Sequence, residues 1–111
     1  MENIMAFSNE TPFQVRKHIA LLNGVNVETI SANKTLVLSD STYQILDGGG
    51  SDYDLVLPAE NDGVSFWIRN DGSTNSIVVK DAGATTVTTL TAGQACHVVC
   101  NGSVWFLVLK A

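Results

Sequence analysis

An all-β fold, a small antiparallel β-sandwich or jelly-roll-like domain behind an N-terminal arm, is what this sequence predicts. Three observations carry the expectation. From Val25 onward the chain reads as short runs rich in Val, Ile, Leu, Thr and aromatic residues. Turn-forming residues break those runs at the roughly 8–12-residue spacing of sandwiches and barrels. The last two runs flank Asn101-Gly102, the strongest short-range hairpin signal there is.

The expected strands are Val25–Ser31, Thr35–Leu38, Tyr43–Leu46, Tyr53–Leu57, Val64–Asn70, Ile77–Asp81, Thr85–Leu90, Gln94–Cys100 and Val104–Leu109. Between them lie Ala32-Asn33, Ser39-Asp40-Ser41, Asp47 to Gly50, Pro58 to Gly63, Asp71-Gly72, Ala82-Gly83 and Ala92-Gly93. These residues tolerate turn conformations that a strand cannot use. A two-residue turn at Asn101-Gly102 would set Val99 opposite Val104, Val98 opposite Trp105 and His97 opposite Phe106. Val104, Phe106 and Val108 would then share one face of the final strand, with Trp105, Leu107 and Leu109 on the other. A strand that is apolar on both faces needs cover on both. One cover would be the domain core, the other a second subunit or a second sheet of the same chain.

Residues 1–24 differ from this pattern and form the expected arm, with the β domain spanning 25–111. Thr11-Pro12-Phe13-Gln14 fits a helix start, a capping Thr followed by Pro and a Gln three residues on. Phe13, Val15, Ile19 and Leu21 fit a strand as well, leading to a turn at Asn23-Gly24, so both readings stand at 12–22. Ile4, Met5, Phe7 and Phe13 are the arm's candidate anchors.

Eleven acids against six bases give a net charge of −5. Nucleic-acid binding depends on Lys and Arg neutralising phosphates, so neither direct nucleic-acid nor anionic membrane binding is expected. Charged residues make up only 15% of the chain, against roughly 25% in typical soluble domains. A small domain short of charge is expected to bury surface against partners. No run reaches the roughly 20 apolar residues of a membrane span, and no secretory signal pattern opens the chain. Synthesis in a cytoplasm follows. No internal repeat or low-complexity segment stands out.

The chemistry-bearing residues are few. His97 sits in an apolar run and reads as a half-buried structural histidine with one nitrogen satisfied. His18 lies beside Arg16 and Lys17. Cys96 and Cys100 would share one face of a strand about 13 Å apart, too far for a disulfide, which needs Cα atoms within about 7 Å. They are expected to be buried free thiols, and His97 would point to the opposite face, away from any shared zinc site. Asp47-Gly-Gly-Gly-Ser-Asp52-Tyr-Asp54 lacks the ladder of ligands of a calcium loop and reads as a turn followed by a polar strand face. No nucleophile elbow is present. The sequence therefore predicts a non-enzyme without cofactor, metal or small-molecule substrate.

The segments Lys34-Thr-Leu-Val-Leu-Ser-Asp-Ser-Thr-Tyr-Gln-Ile-Leu-Asp47 and Asp54-Leu-Val-Leu-Pro-Ala59 resemble a small β-domain of tailed-phage structural proteins. The resemblance continues through Val64-Ser-Phe-Trp-Ile-Arg-Asn70, Ile77-Val-Val-Lys-Asp81 and Thr89-Leu-Thr-Ala-Gly93. It closes on Val98-Val-Cys-Asn-Gly-Ser-Val-Trp105, similar to that group's "cysteine, Asn or Asp, Gly, x, x, Trp" ending, and covers roughly residues 25–109. It implies capsid decoration (cement) proteins, head fibres or tail fibres, often homotrimers. An arm followed by one domain is expected to suit a decoration protein on the outer capsid surface, with the major capsid protein as partner. Val104, Phe106 and Val108 are the candidate subunit interface. The alternative is a head-fibre or tail-fibre component binding a receptor or glycan. A carbohydrate-binding module would need Trp67 or Trp105 exposed, whereas both lie in runs that suggest burial.

Overall fold

In the computed structural model, which describes residues 24–111, the chain is all-β, and no helix occurs among the described residues. The strands are β1 (Val25–Thr29), β2 (Lys34–Thr35), β3 (Tyr43–Asp47), β4 (Tyr53–Val56), β5 (Ser65–Asn70), β6 (Ile77–Lys80), β7 (Thr86–Leu90), β8 (Ala95–Cys100) and β9 (Trp105–Lys110). Each overlaps one run of the sequence pattern, although β2 does so at Thr35 alone, and Leu36–Leu38 of the expected strand lie outside it. Ile4, Met5, Phe7, Phe13, His18 and the helix-or-strand question at 12–22 lie outside the described residues.

The strands form two sheets, one ordered β9-β8-β5-β3-β1 and the other β2-β4-β6-β7. The expected antiparallel arrangement is corrected here, because both sheets are mixed. β1 pairs in parallel with β3, and β3 with β5. β2 pairs in parallel with β4, and β4 with β6. From β1 to β6 each strand thus passes to the opposite sheet, and three rungs stack as a short coil. Only β7 and β8 run against the other strands of their sheets, and β9, antiparallel to β8, runs with β5 again.

The corners explain why these turns do not make hairpins. Asn33 Oδ1 accepts the Asp54 N–H at 2.9 Å, and Asp52 Oδ1 accepts the Ser76 N–H at 2.7 Å. Each side chain ties one rung's corner to the next rung. The ladder also runs around the bends, where Ile30 donates to the Asp47 carbonyl and Leu57 to the Lys80 carbonyl. A chain held corner on corner leads its next strand into the other sheet.

The core lies between the sheets. Leu46, Phe66, Ile68, Val98 and Trp105 face it from the five-stranded sheet, and Leu55, Ile77, Val79 and Leu90 from the four-stranded one. Each of these alternates with a more exposed neighbour, the period of two that a strand imposes. Cys96 and Cys100 are buried free thiols on the inward face, as their spacing predicts.

The final hairpin needs a second correction. Cys100 pairs with Trp105, Val99 with Phe106 and Val98 with Leu107, two residues from the expected register. Asn101 Oδ1 accepts the N–H groups of both Ser103 and Val104 at 2.9 Å. That side chain holds Val104 in a four-residue loop, with Gly102 at a φ of 97°, where a side chain would be strained. Val104 therefore leaves the strand. The register shifts again between Leu107 and Leu109, so Leu109, not Phe106, stands beside His97.

Candidate functional site

The outer face of the five-stranded sheet is where this chain departs most from an ordinary soluble domain. Pairing across all five strands sets Val25, Tyr43, Trp67, His97 and Leu109 in one row. A second row runs Val27, Ile45, Arg69 and Ala95. Ser65, Val99 and Phe106 begin a third. One face of a sheet in a two-layer domain normally alternates to polar residues where it meets water. Here apolar side chains predominate, with Ser65, Arg69 and His97 the polar members of these three rows. Val27 is 71% exposed, Phe106 49% and Trp67 38%.

The Trp67 indole stacks on the His97 imidazole, ring centroids 4.0 Å apart and planes within 4°. His97 Nε2 is shielded from water and has no hydrogen-bond partner. A satisfied nitrogen is the usual condition of a half-buried histidine, and an unpaired one carries a desolvation cost. Arg69 bounds the patch with its charge spent locally, Nε donating to Asp71 Oδ1 at 3.0 Å and Nη1 to the Gly93 carbonyl at 3.3 Å. Tyr43, Ile45, Trp67, Arg69 and Ala95 rim a shallow depression of about 160 Å³.

At the sheet's edge, β9 is bare on both sides. Only Trp105 reaches the core, 5% exposed, its Nε1 donating to the Pro58 carbonyl at 3.0 Å. Phe106, Leu107, Val108 and Leu109 are all exposed. The core does not supply the cover expected for one face of this strand. Of the candidate interface residues, Phe106 and Val108 lie on β9, and Val104 is exposed in the loop before it. Trp67 overturns its expected burial.

Trp67, Val25, Val27 and Leu109 were missed as surface residues, whereas His97 is half-buried as expected. The signal was present in the apolar odd positions of the β1, β3, β5 and β8 runs. It meant nothing until the register placed those positions side by side.

Several of the acids and both thiols are engaged structurally. Asp54 Oδ2 pairs with Lys80 Nζ at 3.0 Å, and Asp47 Oδ1 accepts the Gly49 N–H at 2.7 Å. A hydrogen bond from Asn26, and then Lys34, holds the Glu28 carboxyl below its usual range. Burial pushes the Cys96 thiol up to about 11, against a smaller downward pull from Lys110. Among the described residues no group of three or more His, Cys, Asp or Glu could hold a metal ion.

Comparison with protein-family models, with curated proteins and with solved structures found no match.

Proposed function

We propose that this protein is a bacteriophage capsid decoration (cement) protein, a virion structural protein that binds the outer shell as a homotrimer and stabilises it. The observation that carries the reading is the apolar outer face of the five-stranded sheet, together with its bare edge strand. Contiguous apolar surface of this extent marks a protein-interaction site. The strand-and-turn likeness to tailed-phage β-domains names the class of assembly. A symmetric trimer has a natural seat at the three-fold points of a shell, where binding the assembled state stabilises it by mass action. The arm residues Ile4, Met5, Phe7 and Phe13 are assigned to the major capsid protein.

The test is co-sedimentation of the full chain with emptied capsids, followed by calorimetry of the decorated and bare shells. Decoration should raise the shell's melting temperature, and Phe7→Asp with Phe13→Asp should abolish co-sedimentation. Failure of the wild-type chain to pellet with any capsid of the host's phages would sink the reading.

A second reading is a head-fibre or tail-fibre component that binds a glycan. The exposed Trp67 ring favours it, since sugar rings stack on such platforms. Binding on a glycan array that disappears in Trp67→Ala would support it over decoration.

A further inference from the structure

Leu107 lies on the inward side of β9, in line with Val98, while Phe106 and Leu109 lie on its outward side. Phe106 and Leu109 therefore project together from the edge of the outer face, where another surface can cover them. The depression rimmed by Tyr43, Ile45, Trp67, Arg69 and Ala95 holds about 160 Å³, and an apolar cavity of about 150 Å³ accepts a molecule the size of benzene. One Phe or Leu side chain therefore fits.

We propose that β9 of one subunit seats across the outer face of the five-stranded sheet of a second copy of this chain, Phe106 entering that depression and Leu109 packing beside it. The contact is head-to-tail. Knob and hole are different surfaces of one subunit, so repetition closes a ring or runs on as a filament. The ring has three members under the homotrimer reading above, on which this inference rests.

The occupant is argued from area and charge. Val25, Val27, Trp67 and Phe106 to Leu109 are all exposed, and at the usual size of such side chains they leave on the order of 600 Å² of apolar surface in water. At the roughly 60% apolar share of an interface this corresponds to about 1,000 Å² per junction, the lower bound of a specific one. The chain carries a net charge of −5, yet among the side chains that rim the depression Arg69 alone is ionic, and Asp71 neutralises it. A strongly charged partner finds no complement there, whereas the apolar stretch Phe106–Leu109 of another copy's β9 does.

Light scattering after gel filtration tests this on the full chain. Wild type should run at three times the 11.8 kDa chain mass. Phe106→Lys removes the knob and Ala95→Arg fills the hole, and each alone should run as a monomer. Mixed in equal amounts, they can form a single good junction, so they should give a one-to-one dimer and no ring. Val108→Lys with Ile45→Lys repeats the test should either first variant lose its far-ultraviolet circular dichroism. A monomeric wild type overturns the proposal, as it would if the chain's own first residues covered the face. So does an oligomer that survives either substitution. Neither outcome depends on capsid binding, which co-sedimentation reads separately.

Discussion

Asn70 is fully buried, and its side chain joins three parts of the molecule. Nδ2 donates to the Asn75 carbonyl at 2.7 Å and to the Leu90 carbonyl at 2.9 Å, and Oδ1 accepts the Gly72 N–H at 3.0 Å. Leu90 belongs to the other sheet, so this one amide clamps the layers together. Asn70→Leu leaves two carbonyls and an N–H unpaired, each costing about 1–3 kcal/mol when buried. The expected loss is about 3 kcal/mol in urea unfolding. Asn70→Asp should destabilise as well despite equal size, because a carboxylate cannot donate to either carbonyl. Cys96 gives a pH dependence. Its folded value of about 11 lies above the ordinary 9.0, so above pH 9 the unfolded chain loses a proton that the folded chain keeps. The stabilisation is whole below pH 9 and falls as pH rises to 11, by on the order of 2 kcal/mol. Urea midpoints at pH 8 and 10.5 should show that fall in wild type and a smaller one in Cys96→Ala.

Among the elements, the final hairpin shows how one side chain sets a register. Two N–H groups of the loop depend on Asn101 Oδ1. Asn101→Ala should cost about 1 kcal/mol and raise hydrogen exchange selectively along β9. An effect spread evenly over all strands would show that the loop does not control the edge. The hairpin itself is legible in Asn-Gly, but its register is not. The apolar pattern of Val104–Leu109 is satisfied equally by registers two residues apart, since both keep the same faces. The side-chain hydrogen bonds of the loop choose between them. The bulge that moves Leu109 into the row of His97 has no local sequence signal that we recognise.

At the scale of the whole molecule, both sheets share one core, so they should unfold together. Leu46 in the five-stranded sheet and Leu55 in the four-stranded sheet are each fully buried. Leu46→Ala and Leu55→Ala should each lower stability by about 2–5 kcal/mol. In each case fluorescence and circular dichroism should give coincident urea transitions with an unchanged slope. Separate transitions would mean that the parallel coil and the antiparallel closing strands fold as independent units.

The nine strands of the described residues, their order along the chain, the inward thiols and the bulk of the core follow from periodicity and turn chemistry, which are local and need only neighbouring residues. The all-β class was legible for that reason. Parallel pairing was not, because Val25 meets Tyr43, and Tyr43 meets Trp67, at unequal spacings that show no repeat. The expectation of hairpins failed where Asn33 and Asp52 hook one corner onto the next across more than twenty residues of chain. The candidate surface was settled at that same level. Alternating apolar residues on separate strands become a face only when register sets them in a row, and register is a property of the packed sheets. Sequence by itself therefore determined what each segment is. Tertiary structure decided which segments meet, and so which apolar residues were left facing water.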